Sequence, residues 1–170
     1  LTTGLHDEVP DVPGLRERWA HDVLHCPYCH GWEVRDQALG VLWGGPDPVR
    51  YTQIIRQWSH DVVLFAPVGV LTKAQDAQLA ARSIVVVEGV VARMLVDDDR
   101  LVGVAMEDGR TVARAALFVP PRFVPNTGLL APLDARVDER GFVLTGANGA
   151  TSVPGLWAAG NASNPRAQVI

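Results

Sequence analysis

The sequence predicts an α/β fold in which a parallel sheet with helices is followed by an antiparallel β-meander. Between residues 39 and 89, three apolar segments of strand length alternate with two segments of helical pattern. This strand–helix–strand order requires a parallel sheet with right-handed crossovers. Three further apolar segments follow between residues 90 and 117, separated only by the short turns DDDR and EDGR. Strands joined by such short turns pair in antiparallel fashion.

The first crossover begins with the buried strand LGVLW (residues 39–43), which runs into the turn GGPDP. Asp47 suits the N-cap of the following helix. Pro48 suits its first position, where a missing N–H does no harm. Four side chains then recur near the helical spacing of about 3.6 residues: Val49, Thr52, Ile55 and Trp58.

The second crossover connects the strand VVLFA (residues 62–66) to the strand IVVVEG (residues 84–89), which is rich in β-branched residues. Thr72 and Gln75 have the spacing of a capping box. They predict a helix that begins after Thr72 and continues to about Arg82.

The remaining segments give a meander and two polar flanks. The meander strands are predicted at residues 90–96, 101–106 and 111–117, the last running on into LFVPP, with DDDR as a solvated hairpin tip. Residues 1–14 are polar and rich in proline, which is typical of a connector. Beyond residue 121 the chain is rich in Pro, Asn and Gly, with further strands expected at FVLT (142–145) and GLWAAG (155–160).

The composition excludes several classes of function. The 170 residues are 48% apolar and 20% charged, enough for one domain or one and a half. A net charge of −4 argues against a nucleic-acid partner. No apolar run approaches the roughly 20 residues that span a bilayer, and the first residues lack the pattern of a signal peptide. We therefore expect a cytoplasmic protein with neither a nucleic-acid nor a membrane partner. Separately, Trp19, Trp32 and Trp58 are expected to be core anchors, because large aromatic side chains are usually buried.

The two cysteines of the chain stand three positions apart in HCPYCHGWEV (residues 25–34), with a histidine on each side. A pair at this spacing can close a small disulfide ring and reopen it. At a helix N-terminus its thiolate is stabilised by the helix dipole and by free N–H groups. His25 or His30 can lower a thiol pKa further or move a proton during exchange.

Three other interpretations of this motif compete with redox chemistry. The thiols can be inert packing groups, or a structural disulfide, which a cytosolic setting disfavours. A zinc site would draw on His21, His25, Cys26, Cys29 and His30. Against zinc, Pro27 and Tyr28 fill the loop, and adjacent residues rarely reach one ion together. The redox interpretation is therefore favoured.

Four segments, in order, resemble the low-molecular-weight thioredoxin reductases within the FAD/NAD(P)-dependent pyridine nucleotide-disulfide oxidoreductases. They are LTTG (1–4), CPYCHGWEVRDQALGV (26–41), RFVPNTGLL (122–130) and VPGLWAAGNASNP (153–165) with Gln168 behind it. CPYCHG is also similar to a branch of dithiol oxidases that close disulfides in bacterial and fungal natural products.

This resemblance implies a Rossmann-like nucleotide-binding domain at residues 14–121, with partial segments of an FAD-binding domain at 1–13 and 122–170. It implies that Cys26 is the outer thiol that meets substrate, that Cys29 faces the flavin and that His30 transfers a proton. It further implies FAD contacts at Gly160, Asn161 and Gln168, and a homodimer when full length. Since the FAD domain's own glycine-rich fingerprint is absent from the 170 residues, we expect a fragment that is inactive and binds flavin weakly in isolation.

The turn after the first strand departs from the dinucleotide pattern G-x-G-x-x-G/A. In WGGPDP, Trp43 takes the first glycine's place, Gly45 the second's and Pro48 that of the third small residue, leaving Gly44 and Gly45 as a degenerate nucleotide turn. Asp47 adds a negative charge where a pyrophosphate would otherwise bind. We therefore expect poor binding of NADPH.

The functional prediction is an enzyme that exchanges electrons between FAD and a substrate through Cys26 and Cys29, in the dithiol oxidase direction. Its substrate is expected to be a small-molecule dithiol or a thioredoxin-like protein disulfide. The alternatives are an NADPH-dependent reductase of the thioredoxin reductase type and a non-catalytic module that resembles a nucleotide-binding or zinc-binding domain.

Overall fold

The structure is a computed structural model that describes residues 1–167, apart from the side chain of Ala131. Contacts divide the chain into two units. The larger unit is Val9–Pro121, and the smaller unit combines Leu1–Glu8 with the chain from Arg122 onward.

Ten strands and three α-helices are defined among the described residues. The strands are β1 Leu5–Glu8, β2 Val23–Leu24, β3 Leu39–Leu42, β4 Val62–Ala66, β5 Val85–Glu88, β6 Val91–Asp97, β7 Arg100–Met106, β8 Thr111–Ala113, β9 Ala116–Phe118 and β10 Arg122–Pro125. The helices are α1 Pro27–His30, α2 Pro48–Ile55 and α3 Lys73–Ala80, and short 3-10 turns lie at Arg16–Arg18, Ala131–Leu133 and Gly160–Ala162.

The larger unit is built on a five-stranded parallel sheet with the order β2-β9-β3-β4-β5. Two clusters of buried side chains cover its two faces. One face packs against α2 and α3 through Leu39, Val41, Val62, Leu64, Phe118, Val49, Ile55 and Leu79. The other packs against the meander through Val63, Phe65, Leu117, Val91, Met94, Leu101, Val104 and Met106. The α/β class with a parallel sheet and an antiparallel meander is confirmed.

Local capping bonds form the two crossover helices as predicted. The Asp47 carboxylate accepts a hydrogen bond from the Arg50 N–H at 3.1 Å and Pro48 occupies the first helical position. Thr72 and Gln75 make both bonds of a capping box at the start of α3. The helix α2 ends at Ile55, so Trp58 lies in the turn beyond it. Trp58 still packs against the buried cluster between the sheet and α2 and α3, which we call the helix-side cluster.

The prediction of one strand at residues 111–117 is wrong, because this segment serves two sheets. β8 completes the meander, whereas β9 pairs in parallel with β3 on one side and β2 on the other. All three residues of β9 are buried apolar side chains, as expected for a central strand covered on both faces.

The polar N-terminal segment is not only a connector. In the smaller unit, β1 pairs with β10 in antiparallel fashion, with His6 opposite Val124. The strands predicted at 142–145 and 155–160 are wrong, since the pairing there is limited to the single bridges of Val137 with Val143 and Ala150 with Trp157.

The hairpin tip predicted to be merely solvated also holds an ion pair within the larger unit. Arg18 is only 8% exposed and donates to the Asp99 carboxylate at 2.6 Å. It also makes two hydrogen bonds to the Asp22 carboxylate, at 2.9 and 2.7 Å. Asp22 in turn accepts from the Leu101 N–H at 2.8 Å, which ties the tip to the segment before β2.

Within residues 1–167, no helix has the length and apolarity that crossing a membrane requires.

Candidate redox-active site

The two cysteines form a disulfide at the start of the short helix α1. Cys26 is the N-cap, the buried Pro27 occupies the first turn, and the two Cα atoms lie 5.2 Å apart, within the usual range for a disulfide. The Cys29 N–H points at the Cys26 sulfur at 3.2 Å. The same backbone group is therefore placed to donate to a thiolate at Cys26 once the pair is reduced.

The helix α1 lies just beyond the carboxyl end of one strand of the parallel sheet. β2 ends at Leu24, two residues before Cys26, and lies at the edge of the sheet beside β9. In open parallel sheets, ligand and active sites gather outside the carboxyl ends of the strands.

Gly31 is required after the helix because of a close approach. A Cβ on Gly31 would collide with the Pro27 carbonyl and with the indole ring of Trp58. Trp58 also accepts a hydrogen bond from the Asp36 N–H at 2.8 Å through its own carbonyl. The segment after the disulfide is thereby fixed against the turn that follows α2.

A second contact fixes the segment before the disulfide. The Tyr51 hydroxyl, on α2, donates a hydrogen bond to the carbonyl of His25. Burial raises the pKa of the Tyr51 phenol above its ordinary value. Sequence reasoning missed both Tyr51 and the Gly31–Trp58 contact, because no local pattern signals either.

The surface around the disulfide is polar and aromatic. Cys29 and His30 are exposed in the described chain, Cys26 is half-buried, and Tyr28 is 73% exposed. Trp32 is 62% exposed, so its prediction as a core anchor is wrong.

The Trp32 ring instead carries the Arg35 guanidinium 3.7 Å from its centroid. Trp58 and Trp19 do pack against the two buried clusters, as predicted.

A zinc site at the motif finds no support in this arrangement. Sulfurs joined to each other are not available as thiolate ligands. Among residues 1–167, no group of three or more His, Cys, Asp or Glu side chains is placed to hold a metal ion.

The degenerate nucleotide turn lies at the carboxyl end of β3, where β9 and β4 flank that strand on opposite sides. Such a switch in strand order is where a dinucleotide normally binds. Here the ring of Pro120 lies against the two glycines, although Gly45 itself is exposed. A Cβ on Gly44 would lie 3.1 Å from Pro120 Cγ, and one on Gly45 would lie 3.3 Å from Pro120 Cβ. The Asp47 carboxylate already occupies the first turn of α2 through the Arg50 N–H.

The next strand end is equally unsuited to a nucleotide phosphate. After β4 the chain passes through an exposed loop, in which the Gly69 N–H donates to the Glu88 carboxylate at 3.0 Å. An adjacent open pocket of about 370 Å³ is lined by Leu71, Thr72, Lys73, Asp76, Val86 and Glu88. Its single cation faces two carboxylates, so the pocket does not favour an anion. These residues do not fit NADPH.

In the smaller unit, the predicted flavin contacts lie at a short 3-10 turn. Gly160 has a φ of +70° and no atom within 4 Å of a Cβ position, so its backbone is open to a ligand. The Asn161 amide donates to the carbonyls of Asn164 and Ala167 at 3.1 and 2.7 Å, which closes the loop behind Gly160. An exposed glycine backbone allows a ligand such as a flavin to approach it closely. Gln168, the third predicted contact, lies outside the described residues.

Comparison with known proteins decides the family. The profile of the family described as "Pyridine nucleotide-disulphide oxidoreductase" matches residues 1–169. The chain belongs to this family. Its members are oxidoreductases, and the predicted resemblance is confirmed.

Two curated relatives show how much of a whole protein is represented. The chain is 27% identical over 180 residues to a component of the alkyl hydroperoxide reductase of Pseudomonas putida, covering 100% of the chain and 34% of that protein. It is 27% identical over 175 residues to thioredoxin reductase aclD of Aspergillus oryzae, and the match covers 95% of this chain and 54% of that protein. The chain thus spans about a third to a half of these relatives.

Solved structures agree with the family and the fold. The protein in the crystal structure of HlmI is 52% identical in sequence to this chain, and the two structures superpose with a TM-score of 0.87. The match covers 99% of this chain and 53% of the HlmI chain. The oxidoreductase from Agrobacterium tumefaciens is 30% identical, with a TM-score of 0.83 over 98% of this chain and 56% of that one.

Proposed function

We propose that the whole protein is a flavin-dependent thiol–disulfide oxidoreductase that runs in the dithiol oxidase direction. The observation that carries the direction is the poor fit of the nucleotide turn to a dinucleotide. Pro120 lies against Gly44 and Gly45, and the Asp47 carboxylate caps α2. The same unit carries the disulfide, of which Cys29 is exposed. An oxidase takes its electrons from a substrate dithiol and has no need of the nicotinamide site, whereas a reductase depends on it.

In this proposal, Cys26 and Cys29 accept two electrons by thiol–disulfide exchange. One substrate thiolate attacks the Cys26 sulfur and forms a mixed disulfide, while the bond to Cys29 breaks and Cys29 leaves as a thiolate. The second substrate thiolate then attacks the substrate sulfur of the mixed disulfide and expels Cys26. The substrate leaves as a disulfide, and the two electrons that it has lost are now held by the reduced Cys26 and Cys29.

Backbone and side-chain groups of α1 assist these steps. The Cys29 N–H, 3.2 Å from the Cys26 sulfur, stabilises negative charge on Cys26 when it is expelled. His30 is exposed at the last position of α1 next to Cys29, where it can take the proton released by a substrate thiol. These assignments give His30 the role of an acid–base group.

Gly160 and Asn161 would hold the flavin, since the glycine backbone is open and the amide shapes the loop behind it. When bound, the flavin supplies the acceptor for the two electrons of the dithiol, with molecular oxygen as the final oxidant. Because the residues at the ends of β3 and β4 do not suit NADPH, no step of the proposed reaction is assigned to it. We extend the proposal to a cytoplasmic homodimer that acts on a small-molecule dithiol or a thioredoxin-like protein.

The relatives support a second candidate, the NADPH-dependent disulfide reductase. Three curated relatives are named thioredoxin reductase or probable thioredoxin reductase. This candidate uses the same two cysteines in the opposite direction. The two candidates differ in their electron donor, which makes them separable by experiment.

The deciding experiment follows flavin absorbance in the full-length protein after anaerobic mixing with either dithiothreitol or NADPH. We expect dithiothreitol to bleach the flavin, admission of oxygen to restore the colour, and NADPH to leave the colour unchanged on the same time scale. Bleaching by NADPH at the rate of the dithiol would establish the reductase direction instead.

Two cysteine variants serve as controls for the route of the electrons. Cys29→Ser should abolish bleaching by dithiothreitol, because the disulfide that accepts the two electrons can no longer form. Its remaining Cys26 thiolate should form a mixed disulfide with added oxidised glutathione, which releases one reduced glutathione and leaves one protein adduct detectable by mass spectrometry. Cys26→Ser should abolish bleaching without trapping a comparable adduct. Unchanged bleaching in both variants would show that electrons bypass the pair.

A further inference from the structure

A side-chain hydrogen bond joins α2 to the residue that precedes the disulfide. Tyr51 lies four residues after Asp47, one turn into the helix, and its hydroxyl donates to the carbonyl of His25. That carbonyl belongs to the peptide group that joins His25 to Cys26. The bond therefore fixes the orientation of the peptide immediately before the first sulfur-bearing residue.

The other side of Cys26 is fixed by the backbone of α1. The Cys26 carbonyl accepts from the N–H groups of Cys29 and His30 at 3.2 and 3.1 Å. With both neighbouring peptides held, rotation about the Cys26 backbone is restricted. The Tyr51 hydroxyl is the contact in this set that comes from a different element of the fold.

The environment of Tyr51 suits a permanent donor. Its ring packs partly buried against the helix-side cluster, which fixes the position of the hydroxyl. Burial also raises the pKa of the phenol above its ordinary value, so the group remains protonated at neutral pH.

We propose that Tyr51 is a positioning residue of the redox centre, which favours the disulfide over the dithiol by holding the His25–Cys26 peptide through its hydroxyl. This inference rests on the redox role of Cys26 and Cys29 proposed above. It assigns a function to α2 that differs from the binding of a dinucleotide.

The physical basis is the effective concentration of one thiol at the other. A dithiol whose Cys26 end is restrained keeps its sulfurs close together, so closing the bond costs little conformational freedom. Without the Tyr51 hydroxyl, the reduced form gains conformations that the disulfide cannot share. The thiol–disulfide equilibrium then shifts toward the dithiol.

The test is the midpoint potential of the cysteine pair in the Tyr51→Phe variant of the full-length protein. Equilibration in glutathione buffers, followed by alkylation and mass spectrometry, measures the fractions of dithiol and disulfide. Loss of one hydrogen bond predicts a shift of about fivefold toward the dithiol. For this two-electron couple the shift equals about 20 mV toward a less negative potential.

Thr52→Val is a matched control on the same helix. The buried Thr52 hydroxyl donates to the Pro48 carbonyl at 2.7 Å within α2, so its removal costs helix stability without touching α1. We expect Thr52→Val to lower stability and leave the potential unchanged. An unchanged potential in Tyr51→Phe, or an equal shift in both variants, would overturn the proposal.

A second variant covers the case in which Tyr51→Phe fails to fold. Incorporation of 3-fluorotyrosine at position 51 retains the ring and strengthens the hydroxyl as a donor, so the potential should shift in the opposite direction. No shift would count against the positioning role. A wild-type pair that cannot be reversibly reduced would instead refute the proposed redox function itself.

Discussion

Replacing Arg18 with Met should strongly destabilise the larger unit. Arg18 donates two hydrogen bonds to the Asp22 carboxylate and two to Asp99, at distances of 2.6 to 2.9 Å. The Asp99 side chain is 95% exposed, so its ion pair contributes little. Asp22 is mostly buried and would keep only the Leu101 N–H among these partners.

The magnitude follows from the carboxylate left behind. Removal of one partner from a buried ion pair typically costs about 3–5 kcal/mol, because the remaining charge is uncompensated. Since Asp22 retains one N–H donor and some contact with water, we expect the lower end, about 3 kcal/mol. Urea denaturation followed by tryptophan fluorescence measures this loss.

Two further variants isolate the cause. Arg16→Met, an exposed position two residues earlier, should change stability by less than about 0.5 kcal/mol. Adding Asp22→Leu to Arg18→Met should recover much of the loss, because the unpaired carboxylate is then gone. If Arg18→Met proves as mild as Arg16→Met, the pair does not hold the hairpin tip to the segment before β2.

The same pair predicts a pH dependence with a definite sign. Burial acts to raise the pKa of Asp22, but hydrogen bonds from Arg18 and from the Leu101 N–H outweigh it and leave that pKa below its ordinary value. A carboxylate with a lowered folded-state pKa stabilises the protein above its unfolded pKa of about 3.9, and the contribution is lost as the pH falls further. The stability difference between wild type and Arg18→Met should therefore shrink below about pH 4.

Two other substitutions test contacts described above. Gly31→Ala should destabilise the chain by about 1–3 kcal/mol, because its Cβ collides with the Trp58 indole. Gly128→Ala is the control, having open space around its Cβ and a φ that any residue adopts, and equal effects of both changes would contradict the steric reason. Thr72→Ala should cost about 1 kcal/mol by removing the capping box with Gln75. Unchanged urea denaturation in that variant would contradict a role for the cap.

The parallel sheet with its two helices was predictable because its signals are local. The bonds that start α2 and α3 join side chains to backbone groups only three residues away, as in Asp47 with Arg50 and Thr72 with Gln75. The strands between them are continuous apolar runs, which is how strands buried on both faces read in a sequence. These features do not depend on the rest of the chain.

Pairings between distant segments were not predictable in this way. β1 pairs with β10 across more than a hundred residues, with Leu5 opposite Pro125. β9 leaves the meander to pair with β3, and the apolar run at 116–118 suits either sheet. Local propensity does not choose between two such partners, because the choice is made by the packing of the whole unit.

The candidate site also combines features that the local sequence shows with contacts that it does not show. The cysteine pair, the adjacent histidine and the poor nucleotide turn are visible within a few residues of sequence. The contacts that shape them are not, since Tyr51 reaches back to His25 and Pro120 packs onto Gly44 from the other end of the larger unit. Both contacts join residues that a fold brings together and that no spacing rule connects.

The packing of α2 does not depend on what its N-terminus binds. The residues that pack it against the sheet, Val49 and Ile55, lie on a buried face that does not include its N-terminus. Its N-terminus can therefore exchange a bound phosphate for its own Asp47 carboxylate at no cost to the core. The next turn carries Tyr51 to the backbone of the disulfide segment. With its N-terminus capped by its own side chain, α2 is free to serve the cysteine pair, which is what the proposed oxidase direction requires of it.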